Sequence, residues 1–273
     1  MFFAPMLLQK KNEPFDDDSY ITELKLDGIR LILSKFDEKV RLYTRHNNEV
    51  TAKFPELLKV DIPNGTVLDG EIIVTDPYGK PDFEAMMSRF MSKRNILKNC
   101  TLSYVVFDVI QYNGKMVTLL PLIERKQLLD EIITQDTSIV AKIKYIEGNG
   151  STYFNLVQQQ DLEGIVMKRK DSRYELGKRS QSWLKVINYK YDDVMISGFR
   201  KGEFGLLLSF LDGKPAGLME LMSTAERKKL YLKHQVISED HKFIFIKPIK
   251  CRVKYRNLTK AGMLRIPSLV EWN

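Results

Sequence analysis

Short runs in which apolar and polar residues alternate dominate the chain, so the pattern predicts many strands with a few helices between them. The segments on either side of Asp27-Gly28 alternate in this way. An Asp-Gly pair so placed predicts a two-residue hairpin, because Gly accepts the positive φ that such turns need. The hairpin would pair Leu26 with Ile29 and Lys25 with Arg30. Two cations opposed on one face destabilise a hairpin, which points to an anion between them, unless both side chains splay into water.

Further strands are predicted at Arg41 to Arg45, ended by His46-Asn47-Asn48, at Val67 to Val74 and at Leu102 to Ile110. Glu163 to Lys168 and Trp183 to Asn188 read as two more. Several of these carry a charge among aliphatics: Glu71, Glu163, Lys168 and Lys185. An ordinary buried strand needs no such charge, so each is a candidate for chemistry, unless Glu71 marks an exposed edge, whereas Phe107 reads by default as core. Helices are predicted from Asp82, as a cap, to about Phe90, from Leu122 to Ile133 behind Pro121, and from Ser151 to Gln160. Phe54 to Leu58 starts a short one, and Tyr174 to Ser182 reads as a loop.

A boundary is predicted near Asn188 to Asp193, giving units of residues 1–188 and 189–273. Beyond it, short strands separated by glycines accompany one helix opened by the capping box Ser223-Thr224-Ala225-Glu226. That content suits a small barrel such as an OB-fold, and the fold class is α+β, antiparallel sheets with helices followed by the barrel. Within the last part Lys250, Arg252, Lys254 and Arg256 alternate with Cys251, Val253 and Tyr255, so one strand face is cationic and the other apolar.

Composition sharpens this. The 273 residues are 44% hydrophobic and 29% charged, ordinary for a protein with a core, and the net charge is +8. From Tyr189 onward 16 Lys and Arg face 9 Asp and Glu, against 27 and 26 before it. The basic excess of the last part favours a nucleic-acid partner. Two cysteines and three scattered histidines offer no disulfide framework and no zinc cluster, so any metal would be held by carboxylates. No apolar run approaches the roughly 18 residues of a membrane span, and Met1 to Lys11 lacks the features of a signal peptide. A soluble, cytoplasmic protein without a membrane partner is expected.

Taken in order, these segments resemble the ATP-dependent DNA ligases of the minimal type, which have only an adenylyltransferase domain and an OB-fold. Lys25-Leu26-Asp27-Gly28-Ile29-Arg30 resembles the nucleophile motif, and the resemblance implies that Lys25 becomes adenylylated. It also implies that Glu23 contacts adenine, Arg45 a phosphate and Glu71 the ribose or its surroundings, and that Phe107 stacks on the base. Glu163 would be linked to a metal, which Glu71 would help to hold, with Lys168 at the end of the same motif and Lys185 as a phosphate lysine. Gly262 to Ser268, with Arg265, resembles the start of the last motif. The implied cofactors are ATP and Mg²⁺ or Mn²⁺, and the implied partner is nicked duplex DNA, bound by a monomer through Lys250, Arg252, Lys254, Arg256 and Arg265.

Two positions depart from the pattern. Ile187 stands where most ligases carry a second lysine, a contact that Lys190 could supply, and the closing Arg-x-Asp-Lys is not reached before Asn273, leaving Arg265 as a partial substitute. The chemistry asks for the residues present: an amine attacking a phosphate must shed its proton, and Arg30, Lys168 and Lys185 would favour the neutral amine while bearing the phosphate charge. RNA ligation, GTP-dependent capping and a non-catalytic nucleic-acid-binding role are the competing readings.

Overall fold

The computed structural model describes residues 1–92 and 100–272, and it divides into two units, Met1–Ile187 and Asn188–Asn273. In the first, the strands in chain order are β1 (Leu7–Lys10), β2 (Tyr20–Leu24), β3 (Ile29–Phe36), β4 (Lys39–Thr44), β5 (Thr66–Thr75), β6 (Thr101–Tyr112), β7 (Lys115–Met116), β8 (Val140–Lys142), β9 (Tyr145–Glu147), β10 (Gly164–Arg169) and β11 (Arg179–Ile187). Three α-helices accompany them among the described residues: α1 (Phe83–Met91), α2 (Leu122–Ile132) and α3 (Gly150–Gln159). The strands form two sheets, one ordered β1-β11-β10-β2-β9 and the other β4-β3-β5-β6-β7 with β8 beside β6. Both sheets are mixed rather than purely antiparallel, because β1 runs parallel to β11 and β8 to β6.

Asp27-Gly28 does not close a hairpin. β2 pairs with β10 and β9 in one sheet, while β3 pairs with β4 and β5 in the other, so residues 25 to 28 carry the chain between sheets. Arg30 lies across from Glu71, and the Lys25 amide donates to the Gly164 carbonyl at 2.9 Å. Glycine is needed at 28 for close approach rather than for a positive φ: a Cβ there would sit 2.2 Å from the Ile72 carbonyl oxygen. The stretch expected to loop from Tyr174 to Ser182 enters β11 already at Arg179.

Alternation gives each sheet two distinct faces. One face of each contributes to a shared core in which Ile21 and Trp183 meet Ile32, Val67 and Ile110. The opposite face of the first sheet packs Ile165, Met167 and Val186 on Phe154 and Val157 of α3. That of the second buries Leu31, Leu33, Leu68 and Ile72 with Met86 of α1 and Leu129 and Ile132 of α2. What lies between the sheets is therefore the candidate site, with an apolar floor.

The second unit holds β12 (Lys190–Arg200), β13 (Leu206–Phe210), β14 (Pro215–Met219), α4 (Thr224–Lys233), β15 (Val236–Glu239), β16 (Phe243–Tyr255) and β17 (Ser268–Trp272). Its strands pair antiparallel in the order β14-β13-β12-β16-β15, with β17 also on β16. The expected cap of α4 is present, the Ser223 hydroxyl accepting from the Glu226 amide at 3.2 Å. Cys251, Val253 and Tyr255 turn into the core, and Lys250 and Arg252 point to solvent. Arg256 lies just past the end of β16. No helix among the described residues is long and apolar enough to cross a membrane.

Candidate active site

Strand register gathers the residues singled out in the sequence. Directly paired residues in a sheet project from the same face, so Glu23, Val166 and Lys185 form one row and Ile21, Lys168 and Trp183 the next. On the second sheet Arg30 pairs with Glu71, and Ile32 with Asp69. Phe107 is the extra residue of a bulge: β5 pairs Asp69 with Asp108 and Gly70 with Val106, leaving Phe107 unopposed. Bulges re-aim side chains, and this one is anchored from behind. Asp108 accepts from Arg125 at 2.7 and 3.0 Å, both side chains being 0% exposed, and Arg125 also donates to the carbonyls of Leu120 and Ser172. Burial works against the Asp108 charge, but Arg125 outweighs it and holds the carboxyl below its ordinary range.

Lys25 Nζ donates to Glu163 Oε2 at 2.8 Å, and that carboxylate is only 4% exposed. Glu163 is aimed there by Gly164, whose φ of +148° and close approach to the Val186 carbonyl, 2.2 Å from a would-be Cβ, exclude any side chain. Nearby, burial and then the charge of Glu163 push the Glu71 carboxyl up to about 7, with Lys25 and Arg30 pulling the other way. A buried carboxyl with a second carboxylate and one lysine near it suits an added cation. Their hard oxygens fit Mg²⁺ or Mn²⁺, and no group of three or more metal-ligating side chains exists among the described residues. Such an ion would therefore rest on one or two carboxylates and substrate phosphates.

The other cations do not converge freely on Lys25. Arg30 is held by Asp69 through bonds of 2.8 and 2.5 Å, and the Tyr174 hydroxyl donates to the same carboxylate at 2.5 Å. Burial opposes its charge, yet Asp69 keeps the guanidinium more firmly protonated than usual. The Arg30 guanidinium lies 5.2 Å over the Phe107 ring. Lys168, 2% exposed, forms an ion pair with Glu23 Oε2 at 2.7 Å and lies over the Phe107 and Trp183 rings. Burial lowers it to about 8 despite Glu23. Arg45 is exposed past β4, donating to His46 Nε2 at 2.9 Å, and no described contact joins it to Lys25. In the second unit Arg265 is bonded through its backbone to Asn257 and Arg256, and Lys190 opens β12.

Sequence reasoning passed over Asp69, Tyr174, Arg125 and Lys126. Lys126 donates to Glu23 Oε1 and, at 2.9 Å, to the Phe107 carbonyl. A signal for the last two existed: Leu122, Arg125, Lys126 and Leu129 are spaced i, i+3, i+4, i+7, which puts both cations on the buried stripe of α2.

The model of the ATP dependent DNA ligase domain matches residues 5–186. The SPbeta prophage-derived DNA ligase-like protein LigB of Bacillus subtilis strain 168 is 54% identical over 272 residues, covering 100% of this chain and 99% of its own. The multifunctional non-homologous end joining DNA repair protein LigD of Mycobacterium tuberculosis strain H37Rv is 32% identical over 186 residues, 67% of this chain and 23% of that longer protein. A mycobacterial DNA ligase D solved with ATP and MES superposes with a TM-score of 0.63 at 26% identity, covering 99% of this chain and 95% of that one. With its lysine, carboxylates and bulged aromatic set between two mixed sheets, the chain belongs to the ATP-dependent DNA ligases.

Proposed function

We propose that the first unit adenylylates itself at Lys25 and passes AMP to the 5′-phosphate of a nick in duplex DNA, while the second unit is an OB-fold that holds the duplex. The observation that carries this reading is the 2.8 Å contact of Lys25 Nζ with Glu163 Oε2, at the edge of the face bearing Glu23, Lys168 and Lys185. Lys25 Nζ yields a proton, for which Glu163 Oε2 is in place, and attacks the α-phosphorus of ATP. A P–N bond forms, the bond to the β-phosphate oxygen breaks and pyrophosphate leaves. An oxygen of the DNA 5′-phosphate then attacks the same phosphorus and frees the lysine. Finally the 3′-hydroxyl attacks the DNA phosphorus, and AMP departs.

Phe107 stacks on the base, Glu23, held by Lys168, accepts from its amine, and Lys185 bears phosphate charge. Glu163 and Glu71 would hold a divalent ion, which when bound would supply further positive charge for the phosphate oxygens. The test is incubation with α-labelled ATP and Mg²⁺ without DNA. Label on Lys25 is expected, and none after Lys25→Ala. Equal labelling by GTP would favour a capping enzyme, and no labelling a non-catalytic relative.

A further inference from the structure

Consecutive residues at the start of α2 grip consecutive residues of the β6 bulge. Arg125 holds the Asp108 carboxylate, and Lys126 holds the Phe107 carbonyl at 2.9 Å. The Lys126 ammonium also reaches Glu23 Oε1, on β2 of the opposite sheet, and lies 5.5 Å from the Tyr145 ring centroid. Both ends of the Lys126–Glu23 pair are almost wholly buried, at 5% and 3% exposed. One side chain thus joins the carboxylate on the first sheet to the backbone of the aromatic on the second. We infer that Lys126 is a positioning residue for nucleotide selection: it fixes the spacing between Glu23 and Phe107, and so the slot into which a purine carrying its amine at C6 fits.

The chemistry follows from what each group offers. Lys126 and Lys168 each take one oxygen of Glu23, which fixes the carboxylate from both sides and leaves further lone-pair directions on both oxygens. An ionised carboxylate only accepts hydrogen bonds. Facing C6 of a purine held in that slot, it therefore favours the amine of adenine and disfavours the carbonyl oxygen of guanine. Without Lys126, Lys168 still neutralises Glu23, but the carboxylate is free to swing about its remaining partner, and the Phe107 carbonyl loses its cross-sheet tie. The base would bind more weakly and be read less strictly. Lys126 sits at the base end and is paired away from Lys25 and Glu163, so once nucleotide is bound the transfer itself should proceed almost as before.

This inference rests on the reading of Glu23 as the base contact. The test is self-adenylylation of the full chain, titrated separately with ATP and GTP, in Lys126→Met, Lys126→Arg, Glu23→Gln and the double variant. For Lys126→Met the expected result is a KM for ATP raised about tenfold, kcat within about twofold, and a reduced preference for ATP over GTP, with partial recovery in Lys126→Arg. Because Lys126 acts in part through Glu23, the double variant should raise KM by less than the product of the two single effects. An unchanged KM and ATP preference in Lys126→Met, beside a raised KM in Glu23→Gln, overturns the inference while leaving Glu23 its role. A loss confined to kcat also overturns it. Unchanged nucleotide binding in Glu23→Gln sinks the underlying reading instead. Lys126→Gln, measured in parallel, preserves the comparison should the methionine variant fold poorly.

Discussion

A Cβ on Gly28 would lie 2.2 Å from the carbonyl oxygen of Ile72 and 2.8 Å from the Ile73 side chain. The crossing from β2 to β3, which carries Lys25 and leads to Arg30 on β3, thus presses directly on β5 just beyond Asp69 and Gly70. Backbone cannot give way as a flexible side chain can. Gly28→Ala should cost about 3 kcal/mol or more, at the upper end of overpacking effects, seen as a lower denaturant midpoint with an unchanged m-value. Adenylylation should fall further than the folded fraction does, because the displaced segment carries Lys25. A variant of wild-type stability would refute the close-packing role.

The hairpin expected at this Gly shows where sequence reading loses its grip. Asp-Gly between alternating segments is a local signal, while the partner of each strand is chosen by distant residues: β10 for β2 and β5 for β3. Period-two alternation assigns a face to a charged position within an apolar strand, and the register puts Lys168 and Lys185 on the inner face of the first sheet and Glu71 on that of the second. The partnerships among them were not legible. Nothing in the order of residues says that Arg30 is committed to Asp69, or that Glu23 is held by lysines from α2 and β10. Lys126 was missed for a different reason, since a cation in a helix is by habit assigned to water even where the apolar spacing buries it.

Stability should respond to pH through Lys168. Burial lowers it from 10.5 to about 8, so between those values the unfolded chain holds a proton that the folded chain has released. Unfolding free energy from this group therefore rises with pH across that window. The contribution is complete above 10.5 and is lost as pH falls through about 8. In Lys168→Met, which leaves Lys126 beside Glu23, this rise should vanish, a difference on the order of 2 kcal/mol between pH 7.5 and 10.5. Denaturant titrations of both proteins at several pH values measure it, and parallel pH profiles would count against the buried lysine.

On β16 the proposed DNA-facing cations are partly occupied. Asp193 of β12 lies 2.9 Å from Lys250 and 3.8 Å from Arg252. A phosphate has to compete with that carboxylate, and a lysine released from it displaces no counterion from the DNA beyond its own contact. Neutralising Lys250 and Arg252 to Gln should weaken binding to nicked duplex and flatten the log–log salt slope by about 0.9 for each phosphate no longer neutralised. Asp193→Asn should do the reverse, tightening binding with little dependence on sequence. Fluorescence anisotropy over a series of salt concentrations reads both, and an unchanged slope in the double Gln variant would place the DNA elsewhere.

Lys25 and Glu163 touch each other, yet their removal should have different consequences. Lys25 carries AMP only until it reaches the DNA; with AMP already on the 5′-phosphate, sealing needs the 3′-hydroxyl, the phosphate-binding cations and the proposed ion. Lys25→Ala should therefore show no sealing of an ordinary nick with ATP, while still sealing a nick supplied in adenylylated form. That residual reaction should be slower than wild type, since the variant loses a positive charge and leaves Glu163, 4% exposed, without its 2.8 Å partner. Glu163→Ala should impair both substrates, because the carboxylate serves the amine in the first step and the proposed ion in each. Single-turnover sealing of the two substrates by both variants, after thermal melts confirm folding, separates these roles. Sealing of the ordinary nick by Lys25→Ala near the wild-type rate would remove Lys25 as nucleophile, and undiminished sealing of the adenylylated nick by Glu163→Ala would confine Glu163 to holding the lysine.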